Sequence, residues 1–141
     1  MIFLDTSALV RRFLTDEGPD PIAGKAREGE RIILSDLARL EFRSAVSRRR
    51  RGGRLSLSQA DSLLEEFRIK CPLYDWVPLD HSILDRAGPL VDQHALRSLD
   101  AIQLAAAMTA AACSPEPLLF GCLDAHLCAA AAAEGLEVLR A

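Results

Sequence analysis

The chain has 141 residues, half of them apolar, 26% charged, with a formal net charge of −3. That length and apolar content argue for one folded domain over residues 1–141 with a substantial core, and against disorder. No apolar run approaches the roughly 18 residues of a membrane helix, and the first residues lack the basic region and cleavage site of a signal peptide, so a cytoplasmic protein with no membrane partner is expected.

Residues 1–4 are an apolar run ending in a polar turn, which reads as a first strand. Thr6 or Ser7 is placed to cap the next helix, which carries Leu9, Val10, Phe13 and Leu14 at helical spacing. Gly18-Pro19-Asp20-Pro21 breaks it, and a short helix follows over residues 21–27. Residues 31–34 read as a second strand. Ser35 or Asp36 then caps a long helix that runs to about Arg51 and ends at Gly52-Gly53. Ser58 to Asp61 resembles a capping start for a helix carrying Leu63, Leu64 and Phe67 and closed by Pro72. Residues 74–79 read as a third strand. Asp80 or His81 opens another helix, which Pro89 should break or kink. Ser98 caps a helix over residues 99–112, residues 118–123 form a fourth strand, and a helix over 125–134 ends at Gly135. Residues 136–139 give a short fifth strand at an edge. Strands alternating with helices predict a parallel sheet covered on both faces, an α/β fold.

Four acidic residues each stand where an apolar segment meets a turn or a helix: Asp5, Glu41, Asp100 and Asp124. Carboxylates set against buried segments are costly unless a cation pairs with them. Oxygen-only clusters of this kind hold Mg²⁺ or Mn²⁺. In open parallel sheets ligands bind beyond the carboxyl ends of the strands. Asp5 and Asp124 both end strands, so they share an edge if those strands are neighbours. Glu41 lies in the helix over residues 36–51, where successive residues turn by about 100°. Leu37, Ala38, Leu40, Phe42, Ala45 and Val46 share one broad face, and Glu41 falls inside that apolar arc. A carboxylate there needs an arginine partner, a raised pKa or a metal. Taken singly, each acid has a plainer role. Asp5 and Asp124 suit helix caps, Asp100 suits the second position of its helix, and Glu41 suits a structural ion pair. Taken together, one acidic pocket is the more economical account, and the chain reads as a metal-dependent phosphodiester-cleaving enzyme.

Other residues narrow this further. Cys71, Cys113, Cys122 and Cys128 form no CxxC pair, and His81, His94 and His126 lack zinc-ligand spacing with them. Free, mostly buried thiols are expected. An acidic chain that handles nucleic acid must concentrate its positive charge locally. Arg48-Arg49-Arg50-Arg51, followed by Arg54, is the candidate RNA-binding patch. The same run also suits the end of a helix dipole, and both readings stand.

Four segments in order resemble the PIN-domain family, and within it the VapC-type toxins of toxin–antitoxin pairs. They are Ile2-Phe3-Leu4-Asp5-Thr6-Ser7-Ala8-Leu9, Leu40-Glu41-Phe42-Arg43-Ser44-Ala45, Leu96 to Ala105 around Asp100, and Leu119-Phe120-Gly121-Cys122-Leu123-Asp124. The resemblance spans the chain. It implies a three-layer α/β/α domain with a mostly parallel central sheet of four to five strands, and a homodimer. It also implies an endoribonuclease using Mg²⁺ or Mn²⁺, inhibited by a small VapB-like antitoxin. Asp5, Glu41, Asp100 and Asp124 would be both catalytic and metal-binding. Thr6 and Ser7 would support them, Ser7 either by bonding Asp5 or by capping its helix. Cys122 departs from the family, where serine or threonine is frequent.

In this reading a metal on Asp5 and Asp100 activates water for attack on an RNA phosphodiester, Glu41 orients that water, and Asp124 completes the shell. An antitoxin tail would place an arginine in the acidic pocket and its apolar residues near Leu9, Phe13 and Phe42. The alternatives are a PIN nuclease that processes or degrades RNA without an antitoxin, and a catalytically inactive PIN fold used for binding. A structure-specific DNA nuclease is disfavoured because no helical arch is evident.

Overall fold

Short strands buried on both faces organise the protein. The computed structural model describes residues 1–14, Ile22 and 29–139. The turn expected at residues 18–21 and most of the helix expected at 21–27 lie outside the described residues. The chain runs through β1 (Ile2–Leu4), α1 (Thr6–Phe13), β2 (Ile32–Ser35), α2 (Leu37–Arg51) and α3 (Leu57–Lys70). After a 3₁₀ turn at Cys71–Leu73 come β3 (Asp75–Val77), α4 (His81–His94), α5 (Ser98–Ala112), β4 (Leu119–Gly121), α6 (Ala125–Ala133) and β5 (Glu137–Leu139). All strand pairs are parallel, in the order β3-β2-β1-β4-β5. β1 is therefore central, with β4 beside it, as a shared edge for Asp5 and Asp124 requires.

Successive side chains point to opposite faces of the sheet. Ile2, Leu4 and Leu34 pack with α1, α2 and α3, whereas Phe3, Ile33, Val77 and Phe120 pack with α4, α5 and α6. Each face thus has its own apolar core, and the protein is a three-layer α/β/α structure. Phe3 and Phe120 stack across neighbouring strands at 5.9 Å. On the other face Phe42 stacks on Phe67 at 4.2 Å and meets the edge of Phe13 at 4.9 Å. Leu9, Phe13 and Phe42 are core residues, so they do not line an open groove for a partner's tail. No helix among the described residues is long and apolar enough to cross a membrane.

Local chemistry moves several boundaries. α1 is capped by Asp5, whose carboxylate accepts from the Ala8 amide, rather than by Thr6 or Ser7. Ser35 Oγ accepts from the Leu37 amide at the start of α2, and Asp36 makes no side-chain cap. α3 is capped two residues early, because Ser56 and Gln59 form a reciprocal capping box. α4 passes unbroken through Pro89. Pro89 and Asp85 lie on the solvent face, so the carbonyl freed by the missing proline N–H meets water. α5 begins at Ser98, with Arg97 in the cap position and no side-chain cap bond, which puts Asp100 third in the helix. Of the four cysteines, Cys122 and Cys128 are buried, Cys71 is intermediate and Cys113 is exposed.

The apolar face of α2 is narrower than its sequence suggests. Ala38, Phe42, Ala45 and Val46 are buried, but Leu40 is 68% exposed. Phe42→Ala should therefore destabilise the protein by about 3–5 kcal/mol, since it empties the middle of an aromatic cluster. Leu40→Ala should stay within about 0.5 kcal/mol of wild type. Urea unfolding of both variants checks the assignment of faces.

Candidate active site

The site is built where β1 and β4 end side by side. The Asp5 amide donates to the Gly121 carbonyl at 3.0 Å, which continues the strand ladder into the turn. A Cβ on Gly121 would lie 2.7 Å from Leu4 Cδ2. The missing side chain leaves room for the buried Leu4 side chain beside Asp5. Asp5 is only 6% exposed. Its carboxylate accepts from the Ala8 amide at 2.9 Å and from the Ser7 hydroxyl, with Ser7 Oγ at 2.8 and 2.9 Å from its two oxygens. Ser7 Oγ also accepts from the Leu123 amide at 3.2 Å, so it ties the end of β1 to the loop after β4. Burial raises the Asp5 pKa above its ordinary value, and hydrogen bonds from Ala8, Ser7 and Cys122 oppose that rise.

Cys122 occupies the position where serine or threonine was expected. Its thiol accepts from the Asp124 amide at 3.2 Å and bonds Asp5. Burial, and then the Asp5 charge, push its pKa far up, so it stays a neutral S–H donor. A weak donor thus takes the place of a hydroxyl beneath Asp5.

Glu41 comes from α2 and meets no arginine among the described residues. Its Oε2 accepts from the Thr6 hydroxyl and, at 2.6 Å, from Gln103 Nε2. Both bonds fall on Oε2, which leaves Oε1 to the cleft. Asp100, on α5, accepts from Arg97 Nε at 2.8 Å. Asp124 caps α6 by accepting from the Leu127 amide at 2.9 Å. Arg97 is mostly exposed. Asp100, and to a smaller extent Asp124, raise its pKa, so its guanidinium lies within the field of both acids.

Asp5, Glu41 and Asp100 line one cleft of about 620 Å³. Buried Asp5, Thr6 and Gln103 form its base, while exposed Arg48, Arg97 and Leu99 stand at its mouth. Arg11 and Arg49 also line it. Asp124 does not, and neither do Arg50, Arg51 and Arg54. Sequence reading missed Arg97 and Gln103. Arg97 is a single exposed cation, and Gln103 is a polar residue inside an alanine-rich helix, a signal as simple as that of Glu41.

The donors at the base are hard oxygens, the kind that suits Mg²⁺ or Mn²⁺. Burial of Asp5 with no cation partner among the described residues also fits a site that gains from one. The spacing is looser than a finished shell. Among the described residues no three acidic, histidine or cysteine groups gather closely enough to hold a metal, and Asp100 is engaged by Arg97.

Comparisons with known proteins bear on the fold. The family model for the PIN domain matches residues 2–113. The fold is similar to FitAcB from Neisseria gonorrhoeae, at 18% identity and a TM-score of 0.69, covering 99% of this chain and 96% of that one. It is also similar to VapBC2 from Rickettsia felis bound to a fragment of its promoter DNA, at 15% identity and a TM-score of 0.67, covering 99% and 98%. A toxin–antitoxin complex from Klebsiella pneumoniae aligns over 84% of each chain at 16% identity and a TM-score of 0.60. At these identities the likeness is one of fold. No curated protein matches the chain. The family model covers most of the sequence, including Asp5, Glu41 and Asp100, and the chain belongs to the PIN domain family.

Proposed function

We propose that this protein is a divalent-cation-dependent endoribonuclease that acts as the toxin of a toxin–antitoxin pair. PIN domains are nucleases. The observation that carries the proposal is that Asp5, Glu41 and Asp100, from three separate elements, line one cleft whose mouth carries Arg48 and Arg97. An acidic base suits a cation, and a basic mouth suits a phosphate backbone.

Asp5 and Asp100 would hold Mg²⁺ or Mn²⁺, while Asp124, outside the cleft lining, caps α6. When bound, the ion supplies Lewis-acid polarisation of a phosphate and lowers the pKa of water. The remaining work belongs to the chain. Ser7 and the Ala8 amide keep Asp5 aimed into the cleft. Glu41, held through Oε2, orients the attacking water with Oε1. Arg48, and Arg97 once released from Asp100, bind the phosphate oxygens and orient the strand. Arg49 lines the cleft beside them, while Arg50, Arg51 and Arg54 extend the positive charge outside it.

The toxin role is supported by fold likeness to a toxin–antitoxin complex. The acidic cleft is suited to an arginine from a small antitoxin, since a guanidinium fits carboxylates in a fork.

Asp5→Asn and Asp100→Asn should each lower cleavage of RNA by on the order of 10²–10⁴-fold, the effect of losing several kcal/mol of transition-state stabilisation. Cleavage assays with Mg²⁺, Mn²⁺ or EDTA check this, and full activity in EDTA contradicts it. Stability gives an independent readout. The folded pKa of Asp5 is raised, so its contribution to stability is complete below the ordinary carboxylate range and is lost as pH rises through the folded value. Metal-free Asp5→Asn should then melt above metal-free wild type near pH 7, with the gap closing toward about pH 4. Mn²⁺ should stabilise wild type more than the variant. Thermal melts across that range decide the sign. Induced expression should arrest growth, and a small protein encoded beside this one should co-purify and relieve the arrest. Normal growth with no small partner contradicts the toxin role and leaves the nuclease role standing.

A further inference from the structure

We propose that Gln103 is a positioning residue that fixes Glu41 for the reaction by clamping it from the opposite layer of the fold. The inference rests on the nuclease reading of the cleft and names a group outside its acidic set. Gln103 is 2% exposed and lies on α5, one turn beyond Asp100. Its side-chain nitrogen lies 2.6 Å from Glu41 Oε2 and 2.8 Å from Thr6 Oγ1. Those two oxygens are themselves hydrogen-bonded, so one N–H is aimed at the pair. The Thr6 hydroxyl in turn donates to the same Glu41 oxygen. Three helices, α1, α2 and α5, are thereby joined at one carboxylate oxygen. Two of them belong to one face of the sheet and the third to the other.

The orientation of the amide is set by this chemistry. Glu41 Oε2 is an acceptor, so nitrogen must face it, and the Gln103 carbonyl is left pointing elsewhere. That oxygen is buried and has no hydrogen-bond partner among the described residues. A buried acceptor without a partner costs stability, and an apolar side chain of the same size would avoid the cost. Methionine or leucine would remove that cost together with a charge-assisted donor to Glu41, so stability alone does not select the amide. What the amide supplies is an N–H aimed at the carboxylate that faces the cleft. Thr6 by itself could hold Oε2, but a single rotatable hydroxyl leaves the carboxylate free to swing about that contact. A second donor from a different helix fixes its plane and so directs Oε1.

The test uses Gln103→Met, which keeps the volume, removes the N–H donor and removes the unpartnered carbonyl. Gln103→His, which restores one ring N–H donor, serves as the conservative comparison. Mn²⁺ alone is titrated into each purified protein and followed by electron paramagnetic resonance, alongside thermal melts and RNA cleavage. Q103M should melt close to the wild-type temperature and yet lose about 10- to 100-fold in Mn²⁺ affinity or kcat, the range seen when a residue supporting a metal ligand is removed. Q103H should recover part of that loss. A crystal structure of Q103M should show Glu41 displaced from its wild-type position. If Q103M melts well below wild type, Gln103 is structural and the proposal is overturned. It is equally overturned if Mn²⁺ affinity, kcat and Glu41 position are all unchanged while wild type binds and cleaves. Wild type that neither binds Mn²⁺ nor cleaves RNA removes the nuclease reading itself, and this inference with it.

Discussion

A carboxylate buried at the carboxyl end of the central strand is the constraint on which the rest of the site depends. β1 has both faces covered and neighbours on both edges, and Asp5 at its end is only 6% exposed, at the base of the cleft. The chain surrounds it with donors: the Ala8 amide, the Ser7 hydroxyl and the Cys122 thiol. These oppose the cost of burial without cancelling it, and the raised pKa is the measure of what is left. A group held in that state responds strongly to a cation, in its charge and in the stability of the fold around it.

The other acids are restrained in different ways, and the differences bear on function. Glu41 is fixed by neutral donors, which hold its carboxylate without occupying the cleft with a counter-charge. Asp100 is held by an exposed arginine. Pairs of that exposure are weak, typically below about 1 kcal/mol, so a phosphate or a divalent ion competes with this one readily. Asp124 caps a helix and stands outside the cleft lining. The acidic set is therefore graded from a rigid base to a movable rim.

Much of this was legible in the sequence because strand ends and helix arcs obey simple periodicities. The order of alternating strands and helices gave the three-layer parallel fold, and the apolar neighbours of Glu41 marked it as a carboxylate in need of partners. What the residues alone did not reveal depends on contacts far apart in the chain. Gln103 meets Thr6 and Glu41 only because the fold brings α5 against the first turns of α1 and α2. The capping role of Asp5 competed with that of Thr6 and Ser7 at neighbouring positions, and only the backbone angles at the turn separate them. Leu40 was read as core because its position on the helical arc is marginal, and α3 covers the residues to one side of it. The α3 cap slipped because two serines, Ser56 and Ser58, both precede plausible partners, and the reciprocal pair with Gln59 prevailed.

The central claim is that Asp5, Glu41 and Asp100 act as one cation-binding unit at the end of the central strand. Anomalous diffraction from crystals soaked in Mn²⁺ tests it most directly. The account predicts a single strong peak, or a close pair, within coordinating distance of Asp5 and Asp100, with Asp100 turned away from Arg97. Mn²⁺ bound elsewhere, or a cleft that stays free of it while Asp100 remains on Arg97, would contradict the account.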